Sequence, residues 1–378
     1  MQKASIQRKN VFIFPVDPTD NRGDATHVRE FVANLSAEED VYLVYDKKYR
    51  SRKLTRHLFF RLKVIKLCFS LNRHAYYYLR YYPGVSVDLL LLRLLRRKNI
   101  FVELNAVLSD EVVDLRANYL RGLLTQFDEK IIKRLAHRLF CVTKEIAGYY
   151  GQGKCSASIV ENGVNVEHFQ AREADSDSVS NSGHAQFVIG FVGSLSPWQD
   201  ISTLVRALKV VRDAVPDRNV RCVVAGTGGE EESIKALIQE CGLQESVDML
   251  GVQPYADIPG IITGFDVCVA PLRGSRLRKT GSAALKVYEY MSMGKPIVLT
   301  DCGSLSKGLQ SRGFVRTHVA EDVTSLADVL LQEVADSIAA DRMGGRQQLS
   351  KQAREFVVEN HSWRKVVEDT KRLMAHGA

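Results

Sequence analysis

Between residues 276 and 301 the chain reads RLRKTGSAALKVYEYMSMGKPIVLTD. Arg276, Arg278 and Lys279 precede a turn containing Gly281 and Ser282. The pattern then predicts a helix from about Ser282 to Met293, because Gly294 and Pro296 stop it. A helix start presents unpaired backbone N–H groups and the positive end of the dipole, which attract anions and phosphate above all. Lys286 and Glu289 are three residues apart and so share one face. An anion held at the helix start, an ammonium one turn in and a carboxylate one turn later would suit a nucleoside diphosphate. The carboxylate would accept hydrogen bonds from the ribose hydroxyls. From this stretch alone, an ordinary Lys–Glu pair on a helix capped by Ser282 is the alternative.

The rest of the chain must position that stretch. Its 378 residues are enough for two domains, and 45% apolar with 25% charged residues is ordinary for a globular protein. No apolar run reaches the length of a membrane span, and the first ten residues, MQKASIQRKN, lack the apolar core of a signal peptide. The seven cysteines show no CxxC spacing, and the nine histidines show no metal spacing. Buried thiols in a cytoplasmic protein are expected, with no metal and no cofactor. A formal charge of +8 points to an anionic partner.

VFIFPV at 11–16 reads as a buried parallel strand. A glycine loop with Gly23 follows, then a helix carrying His27. Strand, glycine turn and helix start form a second anion-receptive corner, although a plain connection fits equally well. DVYLVYD at 40–46 is a second strand. From Lys47 to Val87 there is no Asp or Glu, and cations are dense up to Arg80. Within that stretch HLFFRLKVIKLCFSL predicts a cationic helix whose Phe59, Phe60, Leu62, Ile65 and Phe69 would lie on an anionic bilayer. A core helix with a solvated basic face is the alternative. No helix-turn-helix, zinc or RNA-recognition signature accompanies the charge, so no nucleic-acid partner is expected. AYYYLRYY, VSVDLLLLRLLRRKN and IFVELNA then read as strand, helix and strand. Asn105 and Glu111 follow the last of these strands.

Residues 171–186, AREADSDSVSNSGHAQ, read as a linker. After it the strand–turn–helix pattern restarts, with Gly193, Ser194 and Gln199 in the first turn and Gly228 in the second. Apolar strands alternating with helices predict a doubly wound parallel sheet, whose ligands bind beyond the carboxyl ends of the strands. The divisions expected are a first domain at 1–170, the linker, a second domain at 187–352 and a terminal helical segment at 353–378.

Four ordered elements, GFVGSL, VVAGTG, VAPL and KVYEYMSMGKP, together with ENGVNVEHF, resemble the retaining glycosyltransferases of family 4. The resemblance spans nearly the whole chain and is densest from 159 to 301. It implies an α/β GT-B fold, with two Rossmann-like domains facing a central cleft and the terminal helix crossing back to the first. It implies a metal-independent, hexosyltransferase-like enzyme that moves a sugar from a nucleotide-sugar to a lipid-linked or polysaccharide acceptor. Work of that kind would place it at the inner face of the membrane, in cell-surface glycan synthesis. On that pattern Lys286 meets the diphosphate and Glu289 the ribose. Gly193, Ser194, Gln199, Gly228, Arg276, Lys279, Gly281, Ser282 and Leu285 would surround the donor. Gly23, His27, Arg80, Asn105 and Glu111 would line the first domain's side. The chain also departs from the pattern. Many members carry a further Glu eight residues before the second, where this chain has Gly281. Many carry Arg and Lys in the turn after Gly193, where this chain has Ser194 and Gln199. A transferase-like subunit that binds without catalysis, or a nucleotide-sugar epimerase, is the alternative.

Overall fold

Strands that read as continuous apolar runs end up buried on both faces, which only a parallel sheet covered by helices provides. In the first sheet the strands are β1 (Asn10–Ile13), β2 (Val41–Val44), β3 (Tyr76–Arg80), β4 (Ile100–Leu104), β5 (Arg138–Cys141) and β6 (Ser156–Ile159). They lie in the order β2-β1-β3-β4-β5-β6, all parallel. The second sheet contains β7 (Phe187–Val192), β8 (Val220–Ala225), β9 (Val247–Gly251), β10 (Val267–Ala270), β11 (Ile297–Thr300) and β12 (Arg316–His318). Their order is β12-β11-β10-β7-β8-β9, again parallel. The computed structural model describes residues 10–14, 16–19, 23–36, 41–44, 60–66, 69, 75–107, 119–152, 155–170, 186–274, 280–282 and 285–375. Strand order reverses beside β1/β3 in one sheet and β7/β10 in the other. In open parallel sheets these reversals are where ligands bind.

The chain divides into two compact units, Met1–Asn162 with Trp363–Ala378, and Gly163–Ser362. These limits differ from the expected 170, 187 and 353. Residues 163–170 belong to the second unit because their backbone and side chains are held there. Val164 N donates to His361 O at 2.8 Å. Ser292 Oγ donates to Phe169 O at 2.6 Å, and Arg354 Nη1 donates to the same carbonyl at 2.9 Å. Val164 and Phe169 are buried in that core. For the same reason the helix Ala340–His361, which carries Arg354, stays with the second unit. Only the last helix, Trp363–Ala375, joins the first unit. There Trp363 packs edge-on against His27, and Arg138 Nη1 donates to Leu373 O at 2.9 Å. Of the expected linker, 171–185 lie outside the described residues.

In the first unit α1 (Gly23–Ser36) follows β1 and packs with the last helix. The passages β2 to β3, β3 to β4 and β4 to β5 all move across the sheet in one direction. With right-handed crossovers they put their helices on one face. These are the helical segment 60–66, α2 (Val85–Leu94) and α3 (Tyr119–Leu135). The expected basic helix is only partly described. Within it Phe60 and Val64 are core residues and Phe60 lies edge-on to Tyr82, so Phe60 faces the sheet rather than outward. Leu62 and Phe69 do point out.

Gly84, at φ 83°, precedes α2 and supplies no side-chain cap. The cap comes instead from α3. Asp128 accepts from Gly84 N at 2.6 Å, Ser86 N at 3.3 Å and Ser86 Oγ at 2.5 Å. Arg61 reaches the same corner, donating to Gly84 O at 2.6 Å and Asp88 Oδ2 at 3.2 Å. A buried carboxylate with three donors is costly to remove because every donor is left unpaired. Replacing it as Asp128→Ala should lower local stability by about 3 kcal/mol, read as faster hydrogen exchange along α2. Asp128→Asn, which keeps an acceptor, should cost clearly less.

Candidate functional site

In the second unit the turns after β7 and β8 lie backbone to backbone. Gly193 N donates to Ala225 O, and Leu195 N to Thr227 O, each at 2.9 Å. A Cβ on Gly226, which has φ 145°, would stand 1.8 Å from Gly193 O. A Cβ on Gly228 would stand 2.2 Å from Leu195 O. Only glycine allows this approach, so the two turns act as one rigid ledge at the carboxyl ends of the strands.

Lys286 lies in the first turn of α8 (Leu285–Ser292) and reaches to that ledge. Its ammonium donates to Gln199 Oε1 at 3.1 Å and sits 3.7 Å from the centre of the Phe191 ring. A Cβ on Gly193 would come within 2.6 Å of Lys286 Nζ. The lysine is 8% exposed. Burial lowers its pKa to about 7, with the Glu289 carboxylate one turn on drawing it back upward. Tyr290, on the same helix, accepts from Val192 N at 2.8 Å and so pins α8 to the end of β7. The helix begins at Leu285, later than the expected Ser282, so Lys286 stands at the helix start rather than one turn in. Gly281 has φ 65°, and Ser282 Oγ is buried with no hydrogen-bond partner among the described residues.

The turn after β10 adjoins the ledge. Gln199 bridges Leu272, and Asp200 N donates to Pro271 O at 3.3 Å. Leu272 N donates to Thr300 Oγ1 at 2.8 Å. His318 Nδ1 donates to Val319 O at 2.8 Å, which leaves Nε2 to accept from Thr300 Oγ1 at 3.0 Å. Burial keeps the His318 pKa below the ordinary imidazole value, so the neutral ring that accepts this bond is favoured.

The first unit builds a different centre around Glu103, at the end of β4. His27 Nδ1 meets Asn162 Oδ1 at 3.0 Å, and His27 Nε2 lies 3.2 Å from Glu103 Oε1. Tyr78 donates to Glu103 Oε2 at 2.5 Å, and Arg80 Nε stands 3.5 Å from Glu103 Oε1. Burial alone would raise the pKa of this carboxyl. The charge and hydrogen bond of His27, with Arg80 and Tyr78, outweigh it and hold Glu103 ionised far below the usual range. Asn105, two residues on, has its Oδ1 buried without a partner among the described residues.

The structure therefore gathers Lys286, Gln199 and Gly193, with Glu289 a turn beyond and Gly228 in the adjoining turn. Ser194 is exposed and accepts from Ser196 Oγ at 2.9 Å. Leu285 opens α8, half-buried, and Gly23 is the first residue of α1. His27 and Arg80 come together through Glu103. Glu103 is not among the site residues expected from the sequence motifs. Its signal is a carboxylate at the penultimate position of an otherwise apolar strand, IFVEL. Arg276, Arg278, Lys279 and Glu111 lie outside the described residues, as does most of the basic stretch 47–80. Among the described residues no group of three or more His, Cys, Asp or Glu is arranged to hold a metal ion.

Two doubly wound parallel sheets, each with its turns poised at a strand-order reversal, define a class of two-domain α/β proteins. Comparison with solved structures shows which. The chain is similar to sucrose-phosphate synthase from Thermosynechococcus elongatus, with a TM-score of 0.77 at 16% identity over 98% of each chain. It is also similar to Anabaena Alr3699/HepE in complex with UDP and glucose, with a TM-score of 0.73 at 16% identity over 98% of this chain and 100% of that one. The fold is GT-B. Residues 186–336 match the family described as glycosyl transferases group 1. D-inositol 3-phosphate glycosyltransferase from Corynebacterium jeikeium is 27% identical over 210 residues, which are 52% of this chain and 47% of that protein. The chain spans about half the length of the curated relatives it matches.

A lysine whose folded pKa lies below its unfolded value binds fewer protons when folded. Its burial penalty is therefore full below pH 7 and fades as pH rises toward the unfolded value of 10.5. Lys286→Met should unfold at a higher temperature than the wild type at pH 7. The gap should shrink by roughly 2–3 kcal/mol toward pH 9.5, measured by thermal unfolding at both pH values.

Proposed function

We propose that this protein is a retaining glycosyltransferase of family 4. It would transfer a sugar from a nucleotide-sugar to a hydroxyl on a lipid-linked or polysaccharide acceptor, in cell-surface glycan synthesis. The observation that carries the reading is Lys286, a buried amine at the start of α8 beneath the glycine ledge, with Glu289 one turn away. The Alr3699/HepE structures were determined with UDP, UDP and glucose, or UDP-glucose, which supports a nucleotide-sugar as donor on this fold.

In the proposed reaction the bond between the anomeric carbon and the β-phosphate oxygen breaks, and a bond from that carbon to the acceptor oxygen forms on the same face. The acceptor's proton passes to the departing phosphate. The demand on the protein is to stabilise negative charge growing on the diphosphate. Preorganised cations and amides do so most effectively where water is excluded. Lys286 supplies the ammonium, Glu289 accepts from the ribose hydroxyls, and the segment 276–279 adds positive charge. With the diphosphate met by these groups, the scheme includes no metal and no cofactor. The first unit would hold the acceptor side through Gly23, His27, Arg80, Asn105 and Glu111, with Glu103 fixing His27 and Arg80. Among the described residues no helix is long and apolar enough to cross a membrane. A lipid-linked acceptor would be met at the cytoplasmic membrane surface, with the basic stretch 47–80 against it.

One observation favours a second reading. Gly281 stands where many members carry a carboxylate, and its φ of 65° is one that glycine adopts freely. A binding subunit without transferase activity would have that feature. The two readings separate on turnover. The proposed enzyme releases nucleoside diphosphate in an acceptor-dependent manner, whereas a binding subunit is stabilised by donor and releases none.

Lys286→Ala and Glu289→Ala should each lower transfer at least a hundredfold while the circular dichroism spectrum is retained. Wild-type turnover by both variants would refute the site. A nucleotide-sugar has no phosphate ionisation near neutrality. Its affinity should therefore rise as pH falls through about 7, where Lys286 becomes charged, and calorimetry between pH 6 and 8.5 checks this.

A further inference from the structure

The helices 60–66, α2 and α3 lie on one face of the first sheet, and α2 packs on α3. Their outward sides are unusual for a surface. On α2, Val87, Leu90 and Leu94 recur at helical spacing and are exposed, Leu94 by 80%. On α3, Leu123, Leu124 and Phe127 form a second exposed stripe, Phe127 by 50%. Leu62 extends the same layer from the segment 60–66. Among the described residues, every other large apolar side chain exposed in the first unit is either Phe69, next to that segment, or Ile159.

The charges on this layer are sorted by sign. All of its carboxylates point inward: Asp88, Asp128 and Glu129 are buried. Asp128 caps α2, Asp88 is held by Arg61 and Tyr82, and Glu129 accepts from Tyr150 Oη at 2.7 Å. Among the described residues of this layer the exposed charges, Lys63, Lys66, Arg96, Lys130 and Arg134, are all cationic. Lys130 and Arg134 continue the Leu123–Phe127 stripe along α3 at helical spacing. An exposed apolar patch marks an interaction site, and one whose exposed charges, among the described residues of its helices, are all cationic complements an anionic, partly apolar partner. A protein partner would have to supply a matching acidic rim around an apolar centre. An anionic bilayer supplies both at once, with its headgroup charge above its acyl chains.

We infer that the outer face of α2, α3 and the segment 60–66 is a docking surface for an anionic lipid bilayer. The apolar stripes enter the headgroup boundary, and the lysines and arginines meet the phosphates. The inference rests on the proposed membrane location, but it assigns the contact to residues outside the sugar-transfer site. Most of them also lie outside the basic stretch 47–80. Asp128 and Arg61 keep the three helical segments in fixed register, so the face is presented as one plane.

The test uses the full-length protein and cosedimentation with vesicles of phosphatidylcholine, alone or mixed with phosphatidylglycerol. Wild type should bind the mixed vesicles and release with salt, and should bind phosphatidylcholine weakly. The combined variant Leu90→Ser, Leu94→Ser, Leu124→Ser, Phe127→Ser should lose at least tenfold in binding. Lys130→Glu with Arg134→Glu should lose a similar factor. Nucleoside diphosphate binding should be unchanged in both, and an unchanged circular dichroism spectrum and thermal unfolding profile show that the substituted first unit is still folded. Val210→Ser with Val252→Ser, exposed on the second unit, should bind vesicles as wild type does. If wild type binds and the Leu/Phe variant binds equally well, this face is not the docking surface, although the proposed membrane location stands. Failure of wild type to bind overturns both. A wild-type dimer in light scattering that the serine variant abolishes, with vesicle binding unaltered, would show that the face pairs two copies and would overturn the inference.

Discussion

The second unit depends on a single unfavourable placement, an amine sealed under two glycine turns. Lys286 is buried beside Phe191 and held by Gln199, and dehydration favours its neutral form. Everything around it serves to keep it there. Tyr290 ties its helix to β7, and a side chain on Gly193 would run into its ammonium. A solvated lysine on the same helix would cost the fold nothing, and it would be worth less to a bound anion, because water would already satisfy it.

The two units treat buried charge in opposite ways. Glu103 is surrounded by His27, Arg80 and Tyr78, so its charge is compensated within the protein and its pKa falls despite burial. Such a centre is rigid and needs nothing from outside. Lys286 faces a neutral carboxamide and a ring, with Glu289 acting from a turn away, and its pKa falls because compensation is incomplete. Incomplete compensation marks the place where a ligand's charge would be most strongly felt. This contrast ranks the two clusters. The first unit's carboxylate is compensated by its neighbours, and the second unit's lysine is not.

Much of this architecture could be read from the chain. Unalternating runs such as FVIGFV and VCVA leave no solvent face, so parallel strands under helices were the expected outcome. The glycine turns and the Lys286–Glu289 spacing marked the site because their signal is local: a turn's φ and a helix's period are set by neighbours in sequence. What could not be read was long-range. Nothing near Glu103 announces that His27, 76 residues away, will face it. The boundary at Asn162 was equally hidden, since 163–170 are retained by Ser292 and Arg354 rather than by anything in their own composition. The segment 60–66 failed for a different reason. It is apolar on more than one side, so periodicity could not decide that Phe60 faces inward and Leu62 outward.

That last ambiguity has a physical meaning. A surface helix ordinarily has one apolar stripe, because one face is all it needs to bury. In α2, VSVDLLLLRL, apolar residues run nearly all round, and only Val85, Leu89 and Leu92 are needed against the sheet. The surplus at Val87, Leu90 and Leu94 adds nothing to the core and would favour aggregation if it met only water. Inward-turned acids and outward-turned bases on the same layer also run against simple solubility, since nearby acids would moderate the cationic field. A surface that is both sticky and single-signed makes physical sense when its usual neighbour is not water. The partner then supplies the opposite charge and the apolar volume that the protein itself withholds.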